Sequence, residues 1–273
     1  MNRLLKILLT IIKNPKKIIF KLELYLVNFF INRTIPVILN NKKIFEIAHF
    51  GKITKMRADS FQYKEPETIE WIDRFQENEN LLDIGANIGI YSLYAAYKKI
   101  KVLAIEPDAL NFSLLNLNIK NNSFDRNVVA YPYSINNISK ISKLNITSYS
   151  WGGAMSSFDR ELDWRGNKLK TSFVQGSPGI SIDEIVAETK FFPNHIKIDV
   201  DGNELLIIKG AKETLSNLNL KTLLIELYED HKEYQETIEI IEKNNFILSE
   251  KRHSHIYDND NLRTDNHIFV RTN

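Results

Sequence analysis

Residues 80–89 read Asn-Leu-Leu-Asp-Ile-Gly-Ala-Asn-Ile-Gly. A short apolar run ends in an acid, Asp83. Gly85, Asn87 and Gly89 follow, and a helical pattern starts near Ile88. This is the pattern of a buried strand, a tight glycine turn and a helix N-terminus. In an open α/β sheet such a turn lies at the carboxyl end of a strand, where ligands bind. Gly85 permits positive φ and lets a ligand approach the backbone. Gly89 is expected to let the helix pack close to the strand.

Two kinds of cofactor use such a turn. A dinucleotide needs G-x-G-x-x-G, because its pyrophosphate sits against bare backbone at a helix N-terminus. Here Asn87 and Ile90 occupy the second and third glycine positions, and the Asp83 carboxylate repels phosphate. S-adenosylmethionine (SAM) carries an ammonium and a sulfonium and no phosphate, so a carboxylate suits it. A second acid is expected about 20 residues on, at the end of the next strand, to take the ribose hydroxyls. Val102-Leu103-Ala104-Ile105-Glu106-Pro107 supplies it as Glu106.

A second cluster of acids surrounds His195-Ile196-Lys197-Ile198-Asp199-Val200, which runs into Asp201-Gly202-Asn203-Glu204. Asp199 lies at the carboxyl end of the fourth strand, and it is one candidate general base. His231, just past the strand Thr222–Leu227, is the other, since an imidazole with pKa about 6.5 suits proton transfer at neutral pH. His195 begins its strand and therefore lies at the opposite edge. His49, His253, His255 and His267 have no motif around them. Asp199, Asp201 and Glu204 are hard-cation ligands by type. Neighbouring strand residues point to opposite faces, so no metal site is assigned.

The elements that position these residues alternate along the chain. Residues 65–76 form a helix with proline near its start. Strand, helix and strand follow over 80–84, 88–97 and 101–106. Asp108 caps a helix that buries Leu110, Leu114 and Leu117, and Val128–Tyr133 is the third strand. Leu205, Ile208, Ala211 and Leu215 recur at helical spacing after the fourth strand. The strand Thr222–Leu227, a helix over Tyr234–Lys243 and an antiparallel hairpin of Phe246–Glu250 with His267–Arg271 complete the body. Alternation of this kind marks a mostly parallel sheet with helices on both faces. Residues 134–182, rich in Ser, Asn, Gly and Thr, break the rhythm as an inserted hairpin or lid. Lys43–Met56 reads as a short β segment crossing a turn at Gly51.

Residues 1–33 carry seven basic residues and one acid, Glu23. Lys6, Thr10, Lys13, Lys17 and Lys21 fall on one helical face, and Asn14-Pro15 divides the segment into two helices. No run approaches the ~20 apolar residues of a membrane span, and no signal-peptide cleavage site follows. Two readings stand: a basic amphipathic helix on a membrane surface, or a helix docked on the body or on a second copy. The chain is 273 residues long, has a net charge of +2 and contains no cysteine. Disulfides, thiolate metal sites and a cysteine nucleophile are excluded, and composition gives no case for nucleic-acid binding.

Taken together, these motifs resemble the FkbM-type family of SAM-dependent methyltransferases, a branch of the class I Rossmann-like methyltransferases. The residues that carry the resemblance are Asp83–Ser92, Glu106-Pro107, Leu115–Asn118 with Asn122, Ile182-Asp183-Glu184, and Ile196–Glu204 with Gly210-Ala211. Asp201 stands where the family usually has Glu. The resemblance covers roughly residues 57–250. It implies that Glu106, beside Pro107, holds the ribose hydroxyls, and that Asp83, Gly85 and Asn87 line the methionine part of SAM. It places Asp199 beside the methyl group. The implied reaction is in-line O-methylation of a glycan, glycolipid or small-molecule hydroxyl. The implied layout is a helical extension over residues 1–40 and a catalytic domain over 41–273, in the cytoplasm with optional peripheral membrane contact. A non-catalytic, membrane-associated interaction module on the same fold is the alternative, and homo-oligomerisation is left open.

Overall fold

A computed structural model describes residues 15–163, 167–253 and 264–272. The first helix, α1 (Pro15–Ile31), starts at the proline, which suits a first helical position where no N–H is needed. Of the expected basic face, Lys6, Thr10 and Lys13 lie outside the described residues, as does His255.

The chain then forms a hairpin, β1 (Thr34–Leu39) against β2 (Lys42–Ala48), followed by a helix, α2 (Lys52–Lys64). This corrects the reading of 43–56 as one β segment. Gly51 at φ 110° ends the extended run, and the Phe50 N–H donates to Thr54 Oγ1 at 3.0 Å. Thr54, Ala58 and Phe61 then bury one helical face. Val37 of β1 is fully buried in the core.

The central sheet has seven strands in the order β12-β13-β11-β10-β3-β4-β5. β3 (Asn80–Ile84), β4 (Lys101–Ile105), β5 (Val128–Tyr131), β10 (His195–Ile198) and β11 (Thr222–Tyr228) are parallel. β13 (Thr264–Arg271) pairs antiparallel with β11 and with β12 (Phe246–His253). Both faces are covered, so successive residues of one strand enter different cores. Leu81, Val102, Ala104 and Leu224 pack on one side, with α2, α3 (Pro66–Asp73), α4 (Ile90–Tyr97) and α5 (Ala109–Asn121). Leu82, Ile84, Leu103, Ile105, Ile196, Ile198 and Ile225 pack on the other, with α6 (Ile182–Thr189), α7 (Glu204–Lys209), α8 (Lys212–Ser216) and α9 (Tyr234–Lys243). The single helix expected after β10 is broken at Gly210, where a Cβ would stand 2.5 Å from the Asn136 carbonyl.

Residues 134–180 make a small second sheet rather than a lone hairpin. It comprises β6 (Ser134–Ile135), β7 (Lys140–Ile146), β8 (Ser157–Phe158) and β9 (Phe173–Ile180), in the order β6-β9-β7-β8.

His195 is at the amino edge of the sheet, stacked on Phe75 with ring centres 3.5 Å apart. Burial pushes its pKa down to about 4, so it is neutral at pH 7. Its contacts fix the tautomer. The ionised Glu79 carboxylate can only accept, so His195 Nε2–H donates to it at 2.8 Å. Nδ1 is then the acceptor of the Thr222 hydroxyl at 2.7 Å, while Trp71 Nε1–H donates to Thr222 Oγ1 at 2.9 Å. This histidine is structural.

Candidate functional site

The turn after β3 is set by three positive φ angles: Gly85 79°, Asn87 53° and Gly89 90°. The N–H groups of Gly85 and Ala86 both donate to the Ile105 carbonyl at 3.0 Å, which ties the turn to β4. A Cβ on Gly85 would lie 1.9 Å from the Asp199 carbonyl oxygen, so the close approach there is to β10. A Cβ on Gly89 would lie 2.5 Å from Leu115 Cδ1. Gly89 thus admits α5 rather than bringing α4 onto its strand. Asn118 accepts the Ala48 N–H at 2.7 Å and donates to the Ile88 carbonyl at 2.8 Å. It therefore couples the β1–β2 hairpin to the turn.

These turns line one face of a cleft of about 290 Å³ at the carboxyl ends of the parallel strands. Gly85 and Asn87 contribute from β3, Glu106 and Pro107 from β4, Asp199 to Gly202 from β10, and Glu226 to Tyr228 from β11. Both proposed catalytic residues, Asp199 and His231, line it. Asp83 and Gly89 lie behind the residues that line it. Asp83 is buried behind the turn, where Oδ2 accepts from Ser92 Oγ at 2.6 Å and Oδ1 has no hydrogen-bond partner. Burial raises its pKa against the opposing pull of Lys197.

Glu106 is oriented by two backbone donors. The Asn87 N–H reaches Oε2 at 2.7 Å and the Asp108 N–H reaches Oε1 at 2.9 Å. Burial nonetheless pushes its pKa up to about 8. Asp108 in turn caps α5, accepting from Leu110 and Asn111 N–H.

On the other side, β10 places a lysine inside the molecule. Lys197 is 1% exposed. Its Nζ is 2.5 Å from Asp199 Oδ2 and 5.1 Å from the centre of the Tyr91 ring, and Asp199, Glu65 and Asp83 raise its pKa against burial. Burial pushes Asp199 up, and Lys197 with Lys64 more than reverses it, so Asp199 stays ionised. Its neighbours respond differently. Burial and the Asp199 charge take Asp201 up to about 7, and burial takes Glu204 up to about 8. Glu226, which accepts from Thr264 Oγ1 at 3.0 Å, is raised well above the ordinary range by burial and by Asp199.

His231 has its pKa lowered by burial, so it is neutral at pH 7. The Glu233 N–H donates to its Nδ1 at 3.3 Å, which leaves the ring proton on Nε2.

The inserted sheet covers the cleft. Gly152 and Gly153 are held by Asn111 (2.9 and 3.0 Å), by Asn87 Nδ2 (2.7 Å) and by the Arg57 guanidinium (2.7 and 2.9 Å). At the far end Arg160 donates to the Gly202 carbonyl at 2.6 Å and pairs with Glu233 at 3.2 Å. Sequence reasoning missed Arg57 and Lys64 because the β reading took in the start of α2, up to Met56, and assigned no element to the rest of that helix. The Thr54, Ala58, Phe61 spacing is the signal that finds that helix. Lys197 was read only as part of the Ile196–Glu204 motif and given no role, because two of the acids around it, Glu65 and Asp83, come from other elements.

A mostly parallel, two-sided α/β sheet with a covered cleft at its strand ends defines a Rossmann-like nucleotide-fold enzyme. The pattern of the methyltransferase FkbM domain matches residues 83–248. The chain belongs to that methyltransferase family. Methyltransferase sdnD of Sordaria araneosa is 26% identical over 211 residues, spanning 65% of this chain and 77% of that protein. The hexuronic acid methyltransferase AglP of Haloferax volcanii is 25% identical over 158 residues, spanning 58% of this chain and 59% of that protein. Among solved structures, a precorrin-6Y C5,15-methyltransferase from Geobacter metallireducens aligns with TM-score 0.45 and 12% identity, covering 77% of this chain and 87% of that one. Aeropyrum pernix fibrillarin, solved with natively bound S-adenosyl-L-methionine, aligns with TM-score 0.44 and 9% identity, covering 76% and 74%.

Proposed function

We propose that the protein is a SAM-dependent O-methyltransferase acting on a hydroxyl of a glycan, glycolipid or small-molecule metabolite. The observation that carries this reading is Glu106. It is a buried carboxylate at the cleft wall, both of whose oxygens are aimed by backbone N–H groups of the turn and of the helix after β4. A carboxylate held this way accepts from a vicinal diol. Of the acids on the rest of the wall, Asp199 is held ionised and favours a cation over a phosphate, while burial keeps Glu204 and Glu226 largely protonated at neutral pH and Asp201 partly so. In the reading, Glu106 holds the ribose hydroxyls, while Gly85 and Asn87 flank the methionine end. SAM supplies an electrophilic methyl group on a sulfonium.

The chain's own part is positioning and proton removal. Alignment of donor and acceptor in one closed site supplies a large share of the rate. Asp199 is a weak base, since Lys197 holds its carboxylate ionised. His231 is the better one, because it is neutral at pH 7 and lines the cleft. For Nε2 to take the hydroxyl proton the ring must adopt the other tautomer, which gives up the Glu233 N–H bond to Nδ1 and turns Nδ1–H toward the Glu233 carboxylate 4.0 Å away.

The test is release of S-adenosylhomocysteine over a panel of hydroxyl acceptors, uronic acids included because one relative is a hexuronic acid methyltransferase. Turnover is expected with at least one acceptor. Replacing His231 by Asn is expected to lower kcat about 100-fold, with SAM affinity unchanged. Full turnover in that variant would remove His231 from the chemistry.

A further inference from the structure

The largest run of exposed apolar side chains among the described residues is on α1. Ile19, Phe20, Leu22, Leu24, Tyr25 and Val27 are each at least half exposed, at 51–67%, and Leu26 is 43% exposed. At helical spacing Ile19, Leu22 and Leu26 share one side; Lys21 and Asn28 fall on the other, flanked by Leu24 and Tyr25, so the apolar surface reaches well round the helix. An apolar face of this size demands a covering surface.

Charge says which one. Residues 1–33 hold seven basic residues and one acid, so they carry +6, while the rest of the chain carries −4 of the net +2. Two copies meeting through this segment bring +6 against +6. An anionic bilayer meets it with the opposite sign and repels the acidic body, which orients the contact. Among the described residues no helix is long and apolar enough to cross a membrane. At 17 residues, α1 is about 25 Å long, which suits a helix lying in the headgroup region with its apolar side toward the acyl chains. We propose that α1 lies in the surface of an anionic lipid bilayer and tethers the folded body there.

The test is flotation of the full chain with vesicles of phosphatidylcholine containing phosphatidylglycerol, against phosphatidylcholine alone. The control variant is Leu22→Glu with Leu26→Glu. Both positions are exposed, so its melting temperature is expected to match the wild type, and the comparison is made in protein shown to do so. Wild type is expected to float with the anionic vesicles, and the bound fraction is expected to fall at least about tenfold on neutral vesicles, in high salt and in the variant. Three results each overturn the proposal. One is wild type that stays at the bottom with anionic vesicles. Another is equal binding to both vesicle types. The third is a wild-type dimer in light scattering that the variant abolishes, with no lipid binding, which assigns the face to a second copy.

Discussion

At the residue scale the site depends on a few atoms that tolerate no change. Gly85 is the clearest case. Its positive φ and the 1.9 Å gap to the Asp199 carbonyl mean that a methyl group must push β3 away from β10. Gly85→Ala is expected to cost about 3 kcal/mol or more, from overpacking plus the left-handed backbone penalty. Urea denaturation checks it; a loss under about 0.5 kcal/mol, the range of an ordinary surface substitution, would mean the turn shifts freely. The acids of the turn and of β4 were readable because each ends an apolar run at a strand terminus. The direction of the Asp83 side chain was not legible, for a geometric reason. Strand residues alternate in direction, and position 83 points under the turn to Ser92. Lys197 was unreadable because what makes its burial tolerable comes from elsewhere: Glu65 at the α2–α3 junction and Asp83 on β3, together with the neighbouring Asp199.

Among the elements, α2 and the inserted sheet close the cleft together. Arg57 donates two hydrogen bonds to the Gly152 carbonyl, so α2 holds the loop that also bonds Asn87 and Asn111. Arg57→Ala is expected to loosen that loop and weaken cofactor binding about tenfold, since a charge-assisted pair of bonds is worth ~1.5–3 kcal/mol. The global unfolding free energy is expected to change little, because Arg57 is only half-buried and its two bonds reach a loop. Calorimetric titration beside urea denaturation separates the two; unchanged affinity would show that the loop stands without α2. The alternating βαβ elements were legible, and strands 80–84 and 222–227 fall close to their expected bounds. Helix α2 was not, because its polar face dominates the sequence Lys-Ile-Thr-Lys-Met-Arg-Ala-Asp-Ser and its buried face has three residues. The second sheet was legible only as an interruption, since β6 and β8 are two residues each and take shape through β7 and β9.

At the scale of the whole molecule the acids set the response to pH. Burial raises Glu106 and Glu204 to about 8 and Asp201 to about 7. The folded state therefore binds more protons than the unfolded chain between about pH 4.5 and 8, and stability falls as pH rises through that window. Glu79 acts the other way. Burial opposes its ionisation, but the hydrogen bonds from His195 and Lys221 bring it down to about 2, so its contribution is present above about pH 4.5 and is lost below. Maximum stability of the ligand-free protein is expected near pH 4.5, with a melting temperature about 3 °C or more lower at pH 8. A scan of melting temperature against pH checks this; a curve that rises steadily to pH 8 would place these acids in water.

The most direct measurement is calorimetric titration of SAM into the wild type and into Glu106→Gln, with NAD in a parallel cell. A diol donates best to an ionised carboxylate, and Glu106 loses its proton near pH 8, so affinity is expected to rise from pH 6.5 to 8.5. Saturable binding of one SAM per chain is expected, weakened about tenfold by Glu106→Gln, with no signal from NAD. Binding of NAD, or no SAM binding by protein shown to be folded, would contradict the assignment of this cleft.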